Sequence, residues 1–403
     1  MIGIAPGRYQ EMILNYYNDL AFRPSELFLN KDFGQVATVL GALHERGVTH
    51  LICCNEPNEA LRTFAGNGVV QAKKRLRFLP SKLDFLKNMA VYRFLFRHWG
   101  AFSVLVMFPF CPPSDLQAAR LFRALNPGAK IILKLDANLA HLERLQASYA
   151  VAPRSRFRQH HYYRLLLDIA DVVIYETRGV GHLLTQTPFL GPRAPAKFVN
   201  VFNGLSDRQV RAILGGAPAM AHREQVIIVS GRLSSAQKNV ELIFRSDPVP
   251  EGWRIKFIGS VDSTFRQVIE GYRQRDPNFD RKYEFVGEIT DKRTYFCALS
   301  SGRILLLCSD WEGFPMVYAE AHYFGLYIVT TDVSGAAEAT DDGRLGRIIA
   351  RDDPAALRDA LRAVCADTSL DVATVAASKY GNAHFVWESS LCRPELDRLF
   401  EAP

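Results

Sequence analysis

The stretch DWEGFPMVYAEA, residues 310–321, follows a short apolar run, RILLLC at 303–308, and leads into a helix-friendly series. An apolar run of that length between polar residues reads as a buried strand. Proline is favoured at the first helical position, where its missing N–H is no loss. The pattern predicts strand, loop and helix, with Glu312 in the loop and Pro315 near the first helical turn.

That order gives the two glutamates different surroundings. Amides near Met316 and Val317 have no intrahelical acceptor and point out of the helix N-terminus, where a phosphate is stabilised. Glu320 lies three to four positions further on, on the same face and about 5 Å deeper along the axis. Glu312 lies on the other side of the anion position. A sugar joined to a nucleoside by a diphosphate fits this row, with the sugar at Glu312, phosphates at the helix end and ribose at Glu320. An ordinary loop carboxylate followed by a solvated helix carboxylate fits it as well. The segment alone does not separate the two.

A chain of 403 residues exceeds what one core usually supports, so two domains are expected. Hydrophobic content of 48% and charged content of 23% are those of an ordinary globular enzyme. The 7 cysteines include no Cys-x-x-Cys pair, and the 10 histidines show no His-Glu-x-x-His spacing. This points to reduced thiols in the cytosol and away from a zinc site. No apolar run reaches about 18 residues, and the N-terminus lacks a basic-then-apolar signal pattern. A soluble or peripheral protein is expected.

The net charge of +7 is uneven. Residues 71–99 carry Lys73, Lys74, Arg75, Arg77, Lys82, Lys87, Arg93 and Arg97 against a single acid, Asp84. Leu76, Phe78, Phe85, Phe94, Phe96 and Trp99 are interleaved with them. Such a stretch suits an anionic membrane surface. A helix with its apolar stripe on the core and its lysines in water is the plainer account. Nucleic acid is disfavoured, since no motif for it is present.

Strand-like and helix-like segments alternate along the chain. LFLN (27–30), DFGQVATVLGALHERG (32–47), THLICC (49–54), SVLVMF (103–108), KIILKLD (130–136), DVVIYE (171–176) and KFVNVFN (197–203) make a first set. Residues 206–223, with Gly215, Gly216 and Pro218, break the pattern and read as a linker. QVIIVSG (225–231), WRIKFIG (253–259), YEFVGE (283–288), RILLLC (303–308) and LYIVTT (326–331) form a second set. The expected class is α/β, with two doubly wound parallel sheets whose ligands lie beyond the strand carboxyl ends. Expected boundaries are 1–205, a linker at 206–223, 224–377, and a closing helix at 378–403.

In SGRLSSAQKNVELIF (230–244), Gly231 lets the backbone turn close to a ligand, and Arg232 and Lys238 bracket a polar loop. Two cations there suit a departing diphosphate; solvent-facing cations are the alternative. TTDVSGAAEATDDGRLGRII (330–349) reads as a third loop, with Gly335, Gly343 and Gly346. The three loops follow strands of one sheet and converge on one edge.

Residues 225–349 resemble the C-terminal half of retaining glycosyltransferases of family 4, which have the GT-B fold of two Rossmann-like domains facing across a cleft. SGRLSSAQKNVELI, FVGEITDKRTYFCALSSGRILLLCSDWEGFPMVYAEAHYFG and TTDVSGAAEATDDG carry the resemblance. Glu312 and Glu320 fit the family's Glu-x7-Glu signature, KFVNVFNGLSD (197–207) fits its strand end before the linker, and AHFVWESS (383–390) fits its closing helix.

The resemblance implies that Arg232 and Lys238 hold the donor diphosphate and stabilise the leaving group. It implies Glu312 near the reacting centre, Glu320 on the ribose, and the amides of Phe314, Met316 and Val317 on the sugar or phosphates. Gly287 and Ile289 would lie beside the base. No metal or other cofactor is implied, and the anomeric configuration is retained by front-side attack.

Departures are Pro315 in place of a small residue, Tyr327 in place of proline, and a glycine loop reduced to Gly34 in KDFGQ. Asp136 in KLDANLAH, with His141 as its rival, stands where the family carries a histidine or acid.

The expected activity is a retaining, metal-independent hexosyl transfer from a UDP- or GDP-sugar. The expected acceptor is a glycan or lipid-linked acceptor of surface polysaccharide or lipopolysaccharide synthesis, at the cytoplasmic membrane face. A non-catalytic glycosyltransferase-like subunit, or a nucleotide-sugar epimerase on the same fold, are the alternatives.

Overall fold

The computed structural model describes residues 12–18, 31–54, 68–73, 88–109, 111–136, 139–152, 159–186, 197–216 and 223–401. The chain divides into two compact units, Met1–Val201 with Ser390–Pro403, and Phe202–Ser389.

The first unit holds seven strands: β1 (Met12–Asn18), β2 (Gly47–Cys54), β3 (Gly68–Lys73), β4 (Phe102–Met107), β5 (Lys130–Lys134), β6 (Val172–Tyr175) and β7 (Phe198–Asn200). Their order is β3-β2-β1-β4-β5-β6-β7, and every pairing is parallel. β1, an interior strand third in that order, has the sequence MILNYYN and is not legible as a strand. Its Asn15 and Asn18 interrupt the apolar pattern, yet both are buried. Asn15 Nδ2 donates to Phe33 O at 2.7 Å, and Asn18 Nδ2 donates to Asp115 Oδ1 at 3.0 Å. Those bonds let an interior strand carry two amides.

β3 takes up Gln71–Lys73, so residues 71–99 are not one amphipathic element. The helix within that stretch is Met89–Arg97, with Val91 and Leu95 buried. The expected strand at 27–30 lies outside the described residues.

The second unit holds six strands: β8 (Val226–Ser230), β9 (Arg254–Ile258), β10 (Tyr283–Gly287), β11 (Ile304–Leu307), β12 (Tyr327–Thr331) and β13 (Gly346–Ile349). They run parallel in the order β10-β9-β8-β11-β12-β13. Successive side chains of a strand face opposite sides. Ile227, Val229, Ile304 and Leu306 therefore join one buried cluster, and Val226, Ile228, Leu305 and Leu307 join the other. A sheet covered on both faces needs such uninterrupted apolar strands.

β13 and the short helix Ala336–Ala339 occupy residues expected to be a plain loop. β13 is a four-residue strand on the sheet edge, too short to show a pattern.

Residues 206–216 are not a free linker. Asp207–Leu214 is a helix; Ser206 accepts from Gln209 N–H at 3.2 Å and Gly215 takes the left-handed conformation, φ 77°, at its end. Leu205 N–H donates to Phe385 O at 3.0 Å, and Trp387 N–H donates to Leu205 O at 2.8 Å. These bonds tie the segment to the end of the second unit. The long helix Leu370–His384 also belongs to the second unit, where a Cβ on Gly381 would lie 2.1 Å from His322. The chain thus leaves the second unit at Ser390, later than the expected 378.

Glu388 caps the Asp207–Leu214 helix. Its carboxylate accepts from the Ser206 hydroxyl, from Asp207 N–H at 3.0 Å and from Arg208 N–H at 3.3 Å. An anion there meets the positive end of the helix dipole. Glu388→Ala is expected to lower stability by about 1–3 kcal/mol, read as the urea midpoint; an unchanged midpoint would show the cap to be idle.

Candidate functional site

β8, β9 and β10 end on glycines laced together. Gly231 N–H donates to Ile258 O at 3.0 Å, and Gly259 N–H donates to Gly287 O at 2.8 Å. Gly259 has φ +151°, and a Cβ there would lie 1.8 Å from Gly231 O. The loop after β8 can pass so close only because that side chain is missing.

Beyond Gly231 the chain folds into a short 3-10 turn, Ala236–Lys238. It carries Lys238 to the loop after β11, where Lys238 Nζ donates to Glu312 Oε1 at 2.6 Å. Gln237, which the sequence did not single out, donates from Nε2 to Glu312 Oε2 at 3.1 Å and to Trp311 O at 2.9 Å. Its Oε1 accepts from Arg232 Nη2 at 3.0 Å. Arg232 is exposed, whereas Glu312 is buried. The structure therefore brings Gly231, Arg232, Lys238 and Glu312 together, with Gln237 linking them.

The helix after this loop is Met316–Tyr323, and Pro315 is the extended residue before it, φ −66° and ψ 131°. Proline thus stands at the start of the first helical turn, near which the sequence pattern puts it. The first bond is Tyr318 N–H to Pro315 O at 3.0 Å, so the Met316 and Val317 amides precede it. The Phe314 ring is buried against Phe202, Tyr318 and Phe385, which leaves only its backbone for a ligand. Gly335 lets the next loop close on it, since a Cβ there would lie 2.9 Å from Phe314 Cδ2.

Glu320 is buried and accepts from Tyr295 Oη at 2.6 Å, with Lys292 Nζ 3.9 Å from its other oxygen. Burial, then the Glu320 carboxylate, push the Tyr295 phenol well above its ordinary range, so it stays a donor. Ser230 lies 3.0 Å from the same phenol oxygen. Tyr295, Lys292 and Ser230 were not anticipated, because nothing in their local spacing ties them to Glu320. Gly287 (φ +85°) closes β10, and Ile289 packs half-buried on the second cluster.

Of the residues expected in the first unit, Asp136 falls at the end of β5, whereas Gly34 and His141 lie on helices. Asp136 is exposed just beyond β5. Two positions earlier, Lys134 is fully buried; its ammonium bonds the Glu176 carboxylate, stands 3.5 Å from Asp32 Oδ2, and lies over the Phe108 ring. Asp32, Asp136 and Glu176 each present an oxygen within 4.8 Å of the others, the spacing of a metal site. The Lys134 ammonium bonds or closely approaches two of the three, so this cluster already has its cation.

Gly34 sits in the first turn of the helix Asp32–Leu43 and not in a loop before it. His141 lies on the helix Leu139–Val151 with its ring 5.5 Å from Tyr163; burial, then Arg144, lower its pKa. The Lys73 side chain and Lys74, Arg75 and Arg77 lie outside the described residues.

Burial raises the Glu176 carboxyl, Lys134 opposes this, and Asp136 and Asp32 add to it, with a net rise to about 8. A folded-state value above the unfolded one gives stability that is present at low pH and lost as pH rises through about 8. Unfolding free energy should therefore fall between about pH 5 and about pH 9, and the fall should flatten in Glu176→Gln. Equal slopes in chemical denaturation would exclude Glu176 as its source.

Residues 224–367 match the family described as Glycosyl transferases group 1. No curated protein matches the chain by sequence. Among solved structures, Anabaena Alr3699/HepE, in complex with UDP and glucose, is similar at 14% identity and a TM-score of 0.64, over 94% of this chain and 97% of that one. Sucrose-phosphate synthase from Thermosynechococcus elongatus is similar at 17% identity and a TM-score of 0.68, over 96% and 98%. The apo lipopolysaccharide outer core galactosyltransferase WaaB is similar at 14% identity and a TM-score of 0.59, over 96% and 98%. The likeness establishes the GT-B fold of two parallel-sheet Rossmann-like domains.

Proposed function

We propose that this protein is a retaining, metal-independent glycosyltransferase that moves a hexose from a UDP- or GDP-sugar to a glycan or lipid-linked acceptor in surface polysaccharide or lipopolysaccharide synthesis. The observation that carries the reading is the chain Arg232–Gln237–Glu312–Lys238 beside the start of the helix Met316–Tyr323, inside the matched family segment. Two cations and a helix N-terminus following loops of the same sheet edge are groups that stabilise a diphosphate, which supports the reading. Glu320, one turn deeper, offers carboxylate oxygens to ribose hydroxyls. The UDP and glucose bound to HepE are ligands of the kind this arrangement suits.

In the reaction, the bond from the anomeric carbon to the diphosphate oxygen breaks and its electrons leave with the diphosphate. The acceptor hydroxyl oxygen bonds to that carbon on the same face, and its proton passes to the departing phosphate oxygen. Arg232 and Lys238 stabilise the growing negative charge, the task a divalent ion performs elsewhere. Glu312, held by Lys238 and Gln237, orients the sugar. Asp136, with His141 as its rival, is the residue proposed to serve the acceptor.

Calorimetric titration with UDP and GDP, without metal, is expected to show one binding selectively, with Glu320→Ala weakening it about tenfold. Arg232→Ala should slow transfer by about 10²–10³. Turnover unchanged in both variants would refute the site.

The chain is also proposed to work at the cytoplasmic membrane surface. No helix among the described residues is long and apolar enough to cross a membrane. The helix Met89–Arg97 and the turn after it leave Met89 49%, Phe96 61% and Trp99 72% exposed, along with exposed Arg93 and Arg97. Aromatic and basic groups on one exposed segment suit an anionic interface. Changing Arg93, Arg97 and Trp99 to serine should reduce co-sedimentation with phosphatidylserine vesicles about tenfold or more, with nucleotide affinity unchanged. Equal sedimentation would remove the membrane from the reading.

A further inference from the structure

Gln237 ties together two loops of the second unit's strand-end edge. Its main-chain oxygen accepts from Asp310 N–H at 2.9 Å, and its side chain makes three further bonds. Both hydrogens of its Nε2 are engaged, one by Glu312 Oε2 and one by Trp311 O. The amide orientation is thereby settled, and Oε1 faces the Arg232 guanidinium at 3.0 Å.

An amide of this length is the side chain that can do both. It presents an acceptor to a cation and a donor to an anion. Glutamate would set two carboxylates against each other at Glu312, and lysine would set two cations against each other at Arg232. Methionine would make neither bond.

The neutral amide also separates two charges. Glu312 has Oε1 taken by Lys238 and Oε2 by Gln237, so the Arg232 guanidinium is kept off that carboxylate. The bond to Gln237 uses one of the five N–H groups of the exposed Arg232. Held at one end, and with no ion pair among the described residues, the guanidinium stands ready for an external anion.

We infer that Gln237 is a positioning residue that holds Arg232 for the second phosphate of the donor, and so sets the preference of this unit for a nucleoside diphosphate over the monophosphate. The inference rests on the donor reading proposed above. Arg232 meets the second phosphate, and Gln237 touches no part of the ligand.

The test is calorimetric titration of the full chain with UDP and UMP, and with GDP and GMP. It is run on the unaltered protein, Gln237→Glu, Arg232→Ala and the double variant. Gln237→Glu keeps the shape but binds Arg232 as an ion pair. The diphosphate-to-monophosphate affinity ratio is expected to fall about tenfold, with monophosphate affinity changed less than about twofold. In the Arg232→Ala background the same change should leave the ratio where Arg232→Ala alone put it, the non-additivity of coupled residues.

A purely structural role for Gln237 would weaken both nucleotides alike. If Gln237→Glu does not fold, Gln237→Met replaces it, and the ratio should fall there too. An unchanged ratio, or additive effects in the double variant, would overturn the inference and leave the donor reading intact. No nucleotide binding by the unaltered protein would overturn both.

Discussion

The contact between Lys238 and Glu312 is the one on which the second unit's edge depends. The ammonium and the carboxylate meet at 2.6 Å with side chains only 14% and 8% exposed, so each has given up most of its water to the other. Removing one partner would strand the other's charge in a poorly solvated place, a far larger penalty than losing a surface pair. The two come together because β8 and β11 are neighbours and run parallel. Parallel strands send their following loops to the same edge, so residues distant in sequence become adjacent there without any long excursion of chain.

That edge in turn depends on the period-two burial of the sheet. Ile227 and Val229 face one cluster while Val226 and Ile228 face the other, so the strand cannot slip by a residue without exchanging its faces. A fixed register fixes where β8 ends, and hence where Gly231 turns. The missing Cβ at Gly259 then allows the Gly231 carbonyl to come in close. The register of buried aliphatic residues thus governs the position of a charged group several residues away.

What could be read from the sequence follows the same physics. The apolar strands of the second unit, Gly231, Arg232, Lys238, Glu312 and the helix at Met316 were legible because they announce themselves through local pattern. β1 was not, because Asn15 and Asn18 are polar residues in an interior strand and are reconciled to burial only by partners such as Phe33 and Asp115. Gln237 was passed over for a different reason. Glutamine is unremarkable in a polar loop, and its role arises only when Arg232, Trp311 and Glu312 surround it. Lys134 belongs with these cases, since a lysine inside a strand reads as solvent-facing until Glu176 and Asp32 enclose it. Polar residues that satisfy one another across the fold leave no periodic trace.

The two glutamates that framed the reading have the same chemistry and acquire different roles from their neighbours. Glu312 is met by an ammonium and an amide, one on each oxygen, so its lone pairs are largely committed and its orientation is set. Glu320 is met by a neutral phenol on one oxygen, with the Lys292 ammonium 3.9 Å from the other. Its remaining lone pairs keep capacity to accept from further hydroxyls. In the proposed reaction, the carboxylate held on both oxygens stands beside the cations assigned to the leaving group. The proposed ribose-binding carboxylate, Glu320, stands deeper along the helix and has fewer of its lone pairs taken. Eight residues of spacing put them in line, and their partners divide the work between them.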